Sequence, residues 1–197
     1  MLFFAPFASL RLCVIVFNLP PNCSVALFVA YETLKTETLT RPRKAIVTDV
    51  PKMQKIINHF ADRNEMLHKS LNELYEHIRD FTVMEEDGEI LGCAAIHVVW
   101  DDLAELKSVA VASTAQGRGV GKTLVDHVLG EARELGLKRV FALTYVPDFF
   151  AARGFRLIDR NMLPHKVWGE CIKCHKFPNC NEIAMMVHLD APHVETN

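Results

Sequence analysis

The period at which apolar residues recur changes several times along this chain, and each change marks an element. Lys44 to Val47 reads as a short strand. Thr48 or Asp49 can cap the helix that follows, with Pro51 tolerated in its first turn. Val50, Met53, Ile56, Ile57 and Phe60 then recur at helical spacing and form one apolar face. Ser70-Leu71-Asn72-Glu73 fits a capping box, opening a second helix with Leu71, Leu74, Tyr75 and Ile78 as its stripe. The period then shortens. Phe81 to Met84 reads as strand, Glu86-Asp87-Gly88-Glu89 as a hairpin turn, and Ile90 to Trp100 as a second strand. That second strand is apolar enough to be buried on both faces. Asp101-Asp102 turns the chain, and Leu103 to Val111 completes an antiparallel meander.

A Gly-rich turn follows and opens into an amphipathic helix. Val120, Leu124, Val125, Val128, Leu129, Ala132 and Leu135 line one side of it, and Gly136 is placed to end it. Arg139 to Leu143 is the next strand, parallel to the one before because a helix joins them. Pro147 to Arg153 reads as a short helix stopped by Gly154, and Phe155 to Ile158 as a strand. A Cys-rich segment, 165–181, precedes a last strand from Glu182 to Leu189. The expected class is α/β, of the α+β type, with a mixed sheet and helices on its faces.

The glycines between strand and helix suit a phosphate, because the helix start offers unbonded N–H groups and a partial positive charge. Two familiar phosphate loops are excluded by counting. Gly121-Lys122-Thr123 could end a P-loop only if residue 116 were Gly, and it is Gln. A dinucleotide fingerprint would need Gly at 122 or 124, where Lys and Leu stand. What remains is Gln116-x-x-Gly119-x-Gly121, which resembles the acetyl-CoA pyrophosphate loop of the GNAT acyltransferases. The order of elements over residues 44–189 is similar to that family's, as is Gly154-Phe155 after the short helix. Within the family the chain is most similar to the acetyltransferase domain of N-acetylglutamate synthases, in a short stand-alone form. His68-Lys69-Ser70, Phe81-Thr82-Val83, Ala104-Glu105-Leu106, Val109-Ala110-Val111, Leu143-Thr144, Arg153-Gly154-Phe155 and Leu163-Pro164 carry that likeness.

The resemblance implies the GNAT acyl-CoA N-acyltransferase fold and transfer of an acetyl group from acetyl-CoA to the amino group of an amino acid. L-Glutamate, for arginine biosynthesis, is the first substrate it suggests. It places Val109, Ala110 and Val111 along the pantetheine arm. Gln116, Gly117, Arg118, Gly119, Val120, Gly121 and Lys122 would hold the pyrophosphate. Glu105, on a strand facing the cleft, is the candidate general base; the alternative is a strand carboxylate paired with Lys107. The family's usual acid, a Tyr, is replaced by Phe150. Tyr145 is the nearest substitute, or else a wall of the cleft. Lys69 and Ser70 match a basic substrate-binding position. The stretch after Thr144 lacks an Arg that the synthases carry, which leaves other small amines, a protein N-terminus, or a non-catalytic acetyl-CoA sensor as alternatives.

Cys171, Cys174, His175 and Cys180 form a second cluster. One C-x-x-C with a further Cys and His could hold zinc, form a redox pair, or be a metal-free substrate loop. Cys93 belongs to a strand core.

Composition narrows the picture less. A chain of 197 residues, half of them apolar, suits one domain of ordinary size. The net charge of −2 implies no nucleic-acid surface. Residues 1–43 differ from the rest: nearly uncharged at first, but broken by Pro6, Arg11, Asn18, Pro20 and Pro21. They read as an appendage or translated upstream sequence, a weak anchor, or a structural element, ahead of a domain spanning 44–197. A cytoplasmic protein with no stable membrane association is expected, and a homo-oligomer is left open.

Overall fold

The computed structural model describes residues 41–163, 171–172, 176–177 and 179–189. The apolar segment 1–40, together with Cys174 and His175, lies outside them.

Among the described residues, seven strands make one sheet in the order β1-β2-β3-β4-β5-β7-β6. These are β1 (Arg43–Lys44), β2 (Phe81–Glu86), β3 (Glu89–Val98), β4 (Leu103–Val111), β5 (Arg139–Thr144), β6 (Arg156–Leu157) and β7 (Ile183–His188). Strands β2, β3 and β4 are the expected meander. Asp87 and Gly88, with φ of 50° and 79°, supply the two left-handed residues that a tight hairpin needs. The β4–β5 pair is parallel, as the crossover through α3 (Val120–Glu134) requires. The last strand, β7, does not lie at the edge. It inserts antiparallel between β5 and the two-residue β6.

The sheet is covered on both faces. Helix α3 lays Val120, Leu124, Val125, Val128, Leu129 and Ala132 on one face, against Ala94, Ile96, Ala104 and Leu106. Helix α1 (Val50–Ala61) places Val50, Met53 and Ile57 on the other, against Val83, Cys93, Ala95 and Ala110. A third cluster, around the fully buried Phe141, sits below the far end of the sheet with Leu103, Ala184 and Met186. At about 25 cal/mol per Å² of apolar area, such side chains each contribute a few kcal/mol, so the sheet's position relative to the helices is firmly set.

Several boundaries differ from the periodicity. Ala45–Val47 is not strand: β1 stops at Lys44, and Val47–Asp49 is a 3-10 turn. The reason is Asp49, which is buried and accepts hydrogen bonds from Arg43 at 2.7 and 3.1 Å and from the Ile46 N–H at 2.8 Å. Those bonds fold the chain back where a strand would continue. Helix α2 (Leu71–Glu76) has the predicted capping box, but only Leu74 of its stripe is buried. Leu71 and Tyr75 face solvent, and Ile78 falls in a separate 3-10 turn. In α3, Leu135 is exposed and Leu137 is buried in its place. Gly136 at φ 79° lets the Leu137 N–H reach back to the Ala132 carbonyl at 3.0 Å, so the chain swings Leu137 inward. Helix α4 (Pro147–Ala151) and β6 are shorter than expected.

Candidate active site

Strands β4 and β5 pair only from Leu103 to Glu105, opposite Arg139 to Phe141, and then part. Beyond that fork β5 runs with β7 and β4 with β3, so a cleft opens inside the sheet. Its volume is about 810 Å³. Phe60, Met66, Leu67 and Lys69, from α1 and the segment after it, line it together with Thr144, Tyr145, Phe149, Cys171, Cys180 and Glu182.

A bulge in β4 decides which side chains enter it. The register steps from Cys93↔Ala110 to Ala95↔Lys107, and Ser108 sits at φ 54°. A non-Gly residue there costs about 1–2 kcal/mol, and one extra residue inverts the facing of the strand. Before the bulge, Ala104 and Leu106 pack toward α3, so Glu105 and Lys107 face the α1 side. After it, Ala110 packs toward α1 while Val109 and Val111 pack toward α3. The fork therefore carries a charged pair at its base and an apolar wall along its arm.

Glu105 and Lys107 approach to 3.7 Å, and their side chains are 15% and 17% exposed. Directly across the ladder from Glu105 stands His97, whose Nδ1 lies 2.7 Å from Asp80 Oδ2. His77 stacks edge-on against His97 at 5.5 Å. Tyr145 OH accepts a hydrogen bond from Lys176 Nζ at 2.9 Å, which also donates to the Asn64 carbonyl at 2.6 Å. The tyrosine bond comes first among the causes that raise the Lys176 pKa.

The Gly-rich turn forms a second hollow of about 220 Å³ beside the cleft, lined by Gln116, Gly117, Gly119, Val120, Gly121, Lys122 and Arg153. Gly117 and Gly119 have φ of 77° and 80°, a left-handed conformation that glycine adopts without steric cost. A Cβ on Gly121 would lie 3.4 Å from Val111 and 3.5 Å from Phe149, ordinary van der Waals contact, so Gly121 packs closely against both side chains. Arg118, expected to add charge, makes a bidentate pair with Glu86 at 2.8 and 3.0 Å and ties the turn to the β2–β3 hairpin. Arg153 lies over the Phe149 ring at 3.8 Å, and burial lowers its pKa.

The structure thus brings together Glu105, Val109, Ala110, Val111, Gln116, Gly121, Tyr145 and Lys69 at the cleft. Ser70 does not line it. Its hydroxyl donates to Glu73 at 2.8 Å and its oxygen accepts the Glu73 N–H at 3.2 Å, closing the helix cap. Cys171 and Cys180 do line it, and burial, ahead of Cys180 and Glu105, pushes the Cys171 thiol up. The pairing of Glu105 with Lys107, named from the sequence as the alternative to a general base, is present at 3.7 Å, whereas Arg153 and the Asp80–His97 pair were not singled out as site residues. Among the described residues no helix is long and apolar enough to cross a membrane.

Residues 51–156 match the model of the Acetyltransferase (GNAT) family. The chain is 35% identical over 158 residues to the amino-acid acetyltransferase of Mycobacterium tuberculosis, spanning 79% of this chain and 87% of that one. It is 34% identical over 134 residues to the amino-acid acetyltransferase of Neisseria meningitidis, where it spans 67% of this chain and only 31% of the relative. Among solved structures, Rv2747 of M. tuberculosis in complex with CoA and NLQ is 33% identical, with a TM-score of 0.66 over 75% of this chain and 98% of that one. N-acetylglutamate synthase of Neisseria gonorrhoeae, complexed with coenzyme A and N-acetyl-glutamate, is 30% identical, with a TM-score of 0.70 over 76% and 35%. The fork in the sheet, the glycine turn beside it and these likenesses agree: the chain belongs to the GNAT acetyltransferase family.

Proposed function

We propose that the protein transfers the acetyl group of acetyl-CoA to the amino group of a free amino acid. L-Glutamate is the first candidate, and N-acetylglutamate for arginine biosynthesis the product. The observation that carries the reading is the fork: β4 and β5 stop pairing at Glu105, so the last paired residue is an acid at the base of the cleft. The pyrophosphate seats on the N–H groups from Gln116 to Lys122, with Lys122 and Arg153 adding charge. The pantetheine arm runs along Val109, Ala110 and Val111, pairing with the β4 backbone left open by the departure of β5.

The thioester then lies beside Glu105. Glu105 takes a proton from the substrate ammonium, directly or through one water, and the free amine attacks the acetyl carbon. The tetrahedral intermediate collapses, the C–S bond breaks, and the second proton on nitrogen passes to the leaving thiolate, directly or relayed through Tyr145 or solvent. Lys69 and Lys107, which line the cleft together with Arg160, are cations available to a substrate carboxylate; Ser70 is left to the helix cap. A zinc ion on Cys171, Cys174, His175 and Cys180 is a separate proposal, and metal content of the purified protein decides it.

In this reading the protein acts in the cytoplasm. Release of free thiol from acetyl-CoA, measured against a panel of amino acids, a polyamine and an N-terminal peptide, tests the substrate class. Activity confined to the peptide would replace amino-acid acetylation, and acetyl-CoA binding with no turnover on any amine would favour a sensor. Glu105→Gln should lower kcat roughly 100-fold or more. Full turnover in that variant would remove Glu105 as base.

A further inference from the structure

Each turnover must expel a proton. A substrate ammonium carries three protons on nitrogen and the amide product keeps one. One of the other two ends on the CoA thiol, and the other goes to water. Glu105 can hold that proton only until the next amine arrives, and its side chain is 15% exposed.

We propose that Asp80 and His97 form the outlet through which Glu105 returns its proton to solvent. The inference rests on the reading of Glu105 as the base. His97 is the cross-strand partner of Glu105. Such partners point to the same face with Cβ atoms about 4.5–5.5 Å apart, within reach directly or through one water. His97 also lines the cleft. Its Nδ1, 2.7 Å from Asp80 Oδ2, donates to that carboxylate and leaves Nε2 as the acceptor. The proton moves from the Glu105 carboxyl to Nε2, giving an imidazolium steadied by Asp80, and then to water. The outer groups are the wetter ones, at 26% exposed for His97 and 25% for Asp80. Three further charged or titratable groups stand near this path, and one of them, the Cys171 thiol, lines the cleft near Glu105 and carries none of the protons moved. Lys107, 3.7 Å from Glu105, favours the carboxylate form and so the return of the proton. His77, whose Nδ1 is 3.8 Å from Asp80 Oδ2, offers that carboxylate a second imidazole.

The ligand atoms of His77, Asp80 and His97 all lie within 4.8 Å of one another, as in a metal site. The 2.7 Å contact argues for the hydrogen-bonded pair instead. Two ligands of one tetrahedral zinc, each about 2.0–2.1 Å from it, stay about 3.3 Å apart.

The test is chemical rescue in the full chain. His97→Gln should lower kcat roughly tenfold or more in weak buffer, leave the KM for acetyl-CoA unchanged, and recover as imidazole is added. Asp80→Asn, which removes the partner but keeps the ring, should lose less and recover in the same way. It carries the test if His97→Gln fails to fold, as judged by melting and acetyl-CoA binding. Wild-type kcat for both variants in weak buffer would overturn the outlet, as would losses that imidazole leaves untouched. Activity of the wild type restored or abolished by a chelator would point to a metal and overturn it as well. Glu105→Gln separates the two readings: if it is inactive while His97→Gln is unimpaired, only the outlet fails; if it is fully active, the base itself is wrong.

Discussion

Gly92→Ala is a single-methyl test of how the cleft is held. Gly92 pairs with Met84 on one side and Val111 on the other, in the middle of the meander. A Cβ there would meet the Ala110 carbonyl at 2.8 Å, Leu124 Cδ1 at 3.1 Å and Val120 Cγ1 at 3.2 Å. The two side-chain ends can yield by a few tenths of an ångström. The carbonyl cannot move without its strand. Overpacking of this kind costs about 1–3 kcal/mol. For a chain this size each kcal/mol is worth about 2–4 °C, so melting should fall by about 2–12 °C. The displaced segment is Ala110–Val111, the arm assigned to pantetheine, so the KM for acetyl-CoA should rise along with the loss of stability. Gly130→Ala is the control. It lies in α3 with nothing within 4 Å of its would-be Cβ, and relief of helix entropy should gain about 0.5–1 kcal/mol. Thermal melts and initial rates over an acetyl-CoA series read both. Wild-type melting and KM in Gly92→Ala, or equal destabilisation by Gly130→Ala, would refute the close approach of β3, β4 and α3.

Phe141→Ala, removing a fully buried ring at the fork, should cost about 3–5 kcal/mol in urea unfolding. Burial alone would raise the Asp49 pKa, but the bonds from Arg43 and the Ile46 N–H hold it below the usual carboxylate value. Its folded pKa is therefore depressed: the stability it adds is complete above the ordinary carboxylate range and is lost as pH falls through the lowered value. Asp49→Asn should flatten that part of the acid limb in urea melts taken across it, and should cost about 1–3 kcal/mol at neutral pH. An unchanged limb would show that Asp49 contributes nothing. Cys93, whose thiol burial pushes up to about 12, should resist iodoacetamide in the folded protein at pH 8 and react once denatured.

What could be read in the residues was local. Asp87-Gly88 announced the hairpin because few other pairs adopt two left-handed conformations. Ser70 and Glu73 announced a helix start because their bonds span only three residues. The glycine turn was legible by spacing. What could not be read was set by distant partners. Ser108 gives no sign of a bulge, since the pairing of β3 and not its own type forces φ 54° there. Without the bulge, Glu105, Lys107, Val109 and Val111 would share one face, and the division of the fork into a charged base and an apolar arm stayed hidden. His97 looked like any polar residue near a strand end. Its role depends on Asp80, 17 residues away, and on a register no short window contains. Leu71 and Tyr75 had the right spacing, but the helix ends at Glu76 before its stripe can reach the core.

The place of β7 bears on how the protein comes into being. Its residues are the last of the described strands to be synthesised, yet they fill an interior slot of the sheet between β5 and β6. On the ribosome, β2 to β5 and α3 can form while that slot is empty, leaving β5 with an open edge. The wall of the cleft around Tyr145, Cys180 and Glu182 gains its backing only when β7 docks. Acetyl transfer should therefore switch on only once β7 has emerged and docked, and a nascent chain stalled before Ile183 should hold the glycine turn without a working cleft.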